Sequence, residues 1–156
     1  MEIQLGRRGV LFRIVRVAAN AIIRGQYAFP HVPEITAEEL SERLSSGDAP
    51  VLIDTRPKEE FNSGFGHLPN ARSFPLMELM ENFRNGSKYK ARMKELEAQF
   101  KEIEAFREQE VITICPGGGF SVVAAEIMAE AGFKDVKSLA GGSDGWFKKG
   151  YPTTKG

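Results

Sequence analysis

Two periods of apolar and polar residues alternate along this chain. From Val111 to Ile114 four β-branched residues run together, the pattern of a strand buried on both faces. From Ser121 the period lengthens: Val122, Val123, Ile127 and Met128 recur on one helical face, and Gly132 ends the run. Upstream, Thr36-Ala37-Glu38-Glu39 matches a capping box, and Leu40 and Leu44 follow at helical spacing to about Ser46-Gly47. Pro50 to Asp54 reads as a core strand, Lys58 to Asn62 as a short helical turn and Ala71 to Phe74 as a second strand. Leu76 to Phe83 is expected to be helical, with a break at Asn85-Gly86. Lys88 to Glu110 is a charged helical stretch with Tyr89, Met93, Leu96, Phe100, Ile103 and Phe106 at helical spacing. Asp135 to Leu139 reads as another strand. A tight turn at Ala140-Gly141-Gly142 follows, then a last short helix holding Trp146 and Phe147, with Ser143 or Asp144 as its cap. This order predicts an α/β domain with a mainly parallel sheet.

The first 27 residues differ from the rest. Arg7, Arg8, Arg13, Arg16 and Arg24 stand against one acid, Glu2. On a helix, Arg13, Arg16, Asn20 and Arg24 make a narrow polar stripe and the remaining circumference is apolar. Arg13 and Arg16 interrupt any run long enough to span a membrane. A signal peptide with Ala19-Asn20-Ala21 as its cleavage site carries the same two arginines in its apolar core. The favoured reading is an amphipathic helix packed on its own domain or on a second subunit. Peripheral contact with an anionic membrane is the alternative. Ala28-Phe29-Pro30-His31-Val32-Pro33 is a proline-punctuated linker with His31 on the surface, so the expected division is 1–33 and 34–156.

Composition narrows the class. Among 156 residues, 42% are apolar and 27% charged, as in a globular domain with a real core. Basic and acidic residues number 21 each, so no global field argues for nucleic acid. One cysteine forms no internal disulfide, which points to a cytoplasmic setting. Two histidines and one cysteine give no zinc spacing, and no metal or organic cofactor is expected.

That cysteine, Cys115, falls between the end of a strand and the start of a helix. Helix N-termini leave unpartnered N–H groups and partial positive charge. Gly117, Gly118 and Gly119 allow the loop to curl those groups inward as an anion nest. Cysteines so placed have raised reactivity.

Strand, Cys-x-x-Gly-x-x-Ser, helix resembles the active-site loop of rhodanese-type sulfurtransferases. Two further stretches resemble that family's signatures. One runs from Leu52-Ile53-Asp54-Thr55-Arg56-Pro57 through Glu60-Phe61, Gly66-His67-Leu68-Pro69-Asn70-Ala71 and Phe74-Pro75. The other is Leu139-Ala140-Gly141-Gly142 with Trp146 and Gly150-Tyr151-Pro152. The resemblance covers roughly Ile35 to Pro152 and implies a rhodanese-like fold: a mainly parallel sheet of about five strands flanked by helices, here with an N-terminal amphipathic helix.

It also implies roles. Cys115 is the expected nucleophile, and Pro116, Gly117, Gly118, Gly119, Phe120 and Ser121 the loop around its sulfur, Ser121 serving equally as a helix cap. Asp54, Arg56 and His67 are expected to organise the site rather than to react. The resemblance implies sulfane-sulfur transfer through a Cys115 persulfide, from thiosulfate or a persulfide to a thiophilic acceptor, a protein acceptor among them. Many members carry basic residues where Pro116 and Phe120 stand, so weak thiosulfate activity is expected here. Two residues more than usual separate Phe61 from His67. A cysteine phosphatase of related fold needs Arg where Ser121 stands. The alternative of another class is a sulfur carrier or redox-sensing module without turnover.

Overall fold

The computed structural model describes residues 32–81 and 86–155. The expected N-terminal amphipathic helix, the expected surface position of His31 and the expected break at Asn85 lie outside these residues. Five strands form one sheet: β1 (Glu34–Ile35), β2 (Val51–Asp54), β3 (Arg72–Ser73), β4 (Glu110–Ile114) and β5 (Asp135–Leu139). The order is β1-β5-β4-β2-β3 and every pairing is parallel. The helices are α1 (Ala37–Ser45), α2 (Lys58–Asn62), α3 (Leu76–Glu81), α4 (Gly86–Ile103), α5 (Phe120–Glu130) and α6 (Gly142–Lys148).

Strand alternation sorts the core into two layers. Ile53 and Val111 face α3, α4 and α5, where they meet Leu79, Met93, Leu96, Val123 and Met128. Leu52, Ile112 and Ile114 face the other way, onto Leu40 of α1 and Trp146 of α6. With both faces covered, β4 carries β-branched residues from Val111 to Ile114, which is why it reads as an unbroken run. Its one polar core residue, Thr113, is satisfied: its Oγ1 donates to the Ser121 carbonyl at 2.7 Å.

Local signals explain most boundaries. Thr36 caps α1 by accepting from the Glu39 N–H at 3.1 Å. The expected strand at 135–139 and the turn at 58–62 form over those residues. Trp146 is fully buried and its Nε1 donates to the Pro152 carbonyl at 2.9 Å.

Four features differ from expectation. The charged helix ends at Ile103, followed by a 3-10 turn at Glu104–Phe106, and Glu110 is already strand. Glu110 accepts from Arg43 of α1 and Lys137 of β5, so long-range charge pairing overrides its helical propensity. Helix α6 begins at Gly142 after Gly141 in the left-handed region, and no side chain caps it. The Ser143 and Asp144 N–H groups donate instead to the carbonyls of Cys115 and Pro116, both at 2.9 Å. Helix α5 begins one residue early, at Phe120, with Gly119 as its uncapped N-cap, so Ser121 does not cap it. Finally, Glu34–Ile35 is an edge strand within what reads as linker and helix entry; two residues are too few to show a period. Among the described residues no helix is long and apolar enough to cross a membrane.

Candidate active site

Sheet topology decides where the chain opens. From β2 the chain passes outward to β3, whereas from β4 it passes to β5 on the opposite side. The C-terminal ends of β2 and β4 therefore flank the switch point, where parallel sheets leave a crevice. Thr55 and Cys115 each lie one residue past these two ends. They are stitched together, since the Thr55 N–H and Oγ1 both donate to the Ile114 carbonyl, at 2.8 and 2.7 Å.

Cys115 is 1% exposed, and its Sγ sits inside the loop that follows it. The Gly118 N–H donates to Sγ at 3.1 Å. The Ser121 Oγ, on the first turn of α5, lies 3.3 Å from Sγ. Behind it, at 2.7 Å, is the Ser138 Oγ of β5. Cys115, Ser121 and Ser138 thus form a buried chain ending on sulfur. Proton counting fixes its direction for a thiolate. Sulfur without a proton only accepts, so Ser121 must donate to it and accept from Ser138.

Two glycines hold this geometry by absence of a side chain. Gly118 has φ +91°, and a Cβ there would lie 2.9 Å from the Gly141 nitrogen. Gly142 has φ +63°, and a Cβ there would lie 2.3 Å from the carbonyl oxygens of both Cys115 and Pro116. The Gly141-Gly142 pair lets the N-terminus of α6 close on the loop and take up its carbonyls, leaving loop N–H groups to point inward.

The expected neighbours divide into frame and lining. The Asp54 carboxylate accepts from Arg56 Nε at 3.0 Å and Nη2 at 2.8 Å, with both residues buried. Arg56 Nη2 also donates to the Gly66 carbonyl at 2.8 Å. The Arg56 charge is therefore spent on Asp54, in keeping with the rule that buried charges are paired. The His67 ring stacks on Phe61 with centroids 3.6 Å apart, and its Nδ1 is 2.8 Å from the Phe61 carbonyl. The His67 backbone also bridges Thr154 in both directions at 2.9 Å. Phe120 is half-buried against the α3–α5 core layer, while Pro116, Gly117 and Gly119 are part of the outer surface of the loop. No side chain of Pro116 to Ser121 carries a charge. Sequence reading did not single out Ser138. Its one signal is a serine between Lys137 and Leu139 in a strand, which gains meaning only once β5 is set beside β4.

A family model for the rhodanese-like domain matches residues 36–149. The chain belongs to the rhodanese-like domain family. Among curated relatives, this rhodanese-like domain is 31% identical over 101 residues to the chloroplastic thiosulfate sulfurtransferase 16 of Arabidopsis thaliana, covering 65% of this chain and 77% of the relative. It is 28% identical over 121 residues to a sulfurtransferase of Allochromatium vinosum, covering 78% and 94%. It also matches larger plant proteins. It is 27% identical to the adenylyltransferase and sulfurtransferase MOCS3 of Arabidopsis thaliana, but the match spans only 24% of that protein's length. Among solved structures, the rhodanese-like domain of an Anabaena protein superposes with a TM-score of 0.59 at 22% identity, covering 79% of each chain. That likeness carries the fold.

Proposed function

We propose that this rhodanese-like domain moves a sulfane sulfur through a persulfide on Cys115. One observation carries the reading. The only thiol in the chain receives the Gly118 N–H at 3.1 Å, with a hydroxyl 3.3 Å away, at the switch point of a parallel sheet. The relatives' names as sulfurtransferases support the class.

Two displacements at sulfur make up the cycle. In the first, the Cys115 thiolate attacks the outer sulfur of the donor. A new S–S bond forms, the donor's S–S bond breaks, and the leaving group departs with that electron pair: sulfite from thiosulfate, a thiolate from a persulfide. In the second, a nucleophile attacks the outer sulfur of the persulfide and Cys115 leaves as thiolate. Atoms and electrons balance without a cofactor. The chain supplies a nucleophile and donors positioned around it. Gly118 and Ser121 stabilise negative charge on Sγ, so they assist the second step, in which that charge returns. Ser138 is a positioning residue that acts through Ser121.

The donor follows from charge. Thiosulfate is a dianion, the loop holds no cation and Arg56 is committed to Asp54. A lost charge-assisted contact costs about 1.5–3 kcal/mol. A persulfide is therefore the better donor. The test is thiocyanate release from cyanide with thiosulfate and with glutathione persulfide. The expected result is faster release from the persulfide and, from Cys115→Ser, none above the protein-free rate at which cyanide cleaves the donor itself. Equal rates in Cys115→Ser and the native chain would refute the assignment.

The low exposure of Cys115 favours one second reading, a carrier that turns over only with a partner. A burst of one thiocyanate per chain, without further cycles, would identify it.

A further inference from the structure

Three hydroxyls stand where apolar side chains would serve the fold as well. Thr113, Ser121 and Ser138 are all fully buried, on the side of the sheet that packs Val123, Ala124, Ile127 and Met128 of α5. Burying a hydroxyl costs free energy unless it is hydrogen-bonded, so three together are tolerable only as a connected set.

They are connected, and Ser121 is the member in the middle. Thr113 of β4 and Ser138 of β5 are partners in the parallel register, so both side chains leave the sheet on one face. The Thr113 Oγ1 donates to the Ser121 carbonyl at 2.7 Å, and the Ser138 Oγ lies 2.7 Å from the Ser121 Oγ. This cross-strand pair therefore holds Ser121 at both ends, main chain and hydroxyl. Thr113 Oγ1 is also 3.3 Å from the Lys137 carbonyl, but it has a single proton, and the Ser121 oxygen is the nearer acceptor.

The grip matters because of what Ser121 would otherwise do. A serine on a first helical turn has three staggered rotamers, and backbone groups lie within reach of its hydroxyl. Helix α5 has no side-chain cap to fix its entry. Yet the hydroxyl must point one way to lie 3.3 Å from Cys115 Sγ. Thr113 precedes Cys115 by two residues, so its bond to Ser121 also closes the neck of the 115–121 loop.

We propose that Thr113 is a positioning residue for sulfur transfer: with Ser138 it clamps Ser121 so that the Ser121 hydroxyl donates to Sγ as negative charge returns there. The use in transfer rests on the Cys115 persulfide reading; the clamp itself does not. The step concerned is discharge. Cyanide attacks the outer sulfur of the persulfide and a carbon–sulfur bond forms. The bond to Cys115 Sγ breaks, its electron pair stays on Cys115, and thiocyanate leaves. The Ser121 hydrogen bond counts most at that moment, because the charge it faces is then greatest.

Thr113→Val keeps the shape and removes the hydroxyl, whereas Thr113→Ser keeps the hydroxyl. The full chain is loaded with one sulfur from glutathione persulfide and mixed with cyanide. Thr113→Val should discharge about two- to tenfold more slowly, the worth of one hydrogen bond, with Thr113→Ser close to native. KM for the donor should not change. Both residues act through one hydroxyl, so Thr113→Val should add nothing to Ser121→Ala, and Thr113→Val with Ser138→Ala should be no slower than Ser121→Ala alone. Thr113→Ala, which removes the hydroxyl by truncation, should give the same order. Crystal structures of Thr113→Val and Thr113→Ala should show the Ser121 Oγ turned away from Sγ. An unmoved Ser121 Oγ overturns the clamp, whatever the loss in melting temperature. A displaced Ser121 with native discharge overturns its use in transfer, and so does equal slowing with and without the Ser121 hydroxyl. If Ser121 is displaced and the native chain never loads sulfur, the Cys115 reading fails and the clamp stands.

Discussion

Ser138 is where a single hydroxyl has the most to reveal. It touches neither donor nor acceptor, yet it faces Ser121 at 2.7 Å, and Ser121 faces sulfur. Removing it leaves Ser121 less able to donate, so the thiolate loses part of its support. A net hydrogen bond is worth about 0.5–1.5 kcal/mol, and about 1.4 kcal/mol is tenfold in rate. In Ser138→Ala the cyanide-dependent turnover of the Cys115 persulfide should fall roughly two- to tenfold with KM for the donor unchanged. A serine that merely packs would lower the melting temperature and leave that turnover in place. Phe120 tests the donor. Phe120→Arg puts a guanidinium on the loop, and thiosulfate turnover should rise about tenfold, less what is lost from packing on the α3–α5 layer. Unchanged turnover would contradict the charge argument. The sequence alone made Cys115 and its loop legible, because a strand run, a lone thiol and three glycines are all local signals. Ser138 was not legible, since its partner is 17 residues away and reached only through strand pairing. The cap roles expected of Ser121, Ser143 and Asp144 failed for a related reason. Their groups serve the cysteine segment or β5, a tertiary demand that overrides local capping.

At the scale of elements, one charge cluster ties α1, β4 and β5 together at the end of the sheet away from Cys115. Glu110 accepts from Arg43 at 2.8 Å and from Lys137 at 2.6 Å. The Arg43 hydrogen bond, aided by Lys137 and opposed by partial burial, holds the Glu110 carboxyl at about 2, below its ordinary 4.5. A lowered acid pKa stabilises the fold above the unfolded value, and that contribution drains away as pH falls from about 4.5 towards 2. Glu110→Gln should cost about 1–2 kcal/mol at pH 7 after solvent screening and flatten the stability loss across that window. Urea titrations at pH 7, 4.5 and 3 measure both effects. The parallel slope of native and variant stability against pH would contradict the assignment. The same cluster explains why Glu110 is strand although the charged pattern runs on to it. Lys88 to Glu110 has helical spacing, but Glu110 is claimed by two cations on other elements. Periodicity within one segment carries no information about such partners.

At the scale of the whole molecule, the domain start is a matter of one edge strand. Ile35 is buried, the Pro33 carbonyl accepts from the Ser138 N–H at 2.9 Å, and Val32 packs on the core. Compared with a chain beginning at Val32, one beginning at Thr36 should lose roughly 5 °C or more in melting temperature. Equal melting temperatures would place the boundary later. The α/β class and parallel sheet were legible from alternating periods. The pairing order, and with it the crevice between β2 and β4, was not, because crossovers leave no mark on any one segment. That crevice gives Cys115 its proposed meaning, and intact-mass spectrometry tests it most directly. The full chain is incubated with glutathione persulfide or thiosulfate, alongside Cys115→Ser. A gain of one sulfur atom, larger with the persulfide, removed by cyanide and absent from the variant, is the expected result. No gain from either donor, or the same gain in Cys115→Ser, would contradict sulfur carriage by Cys115.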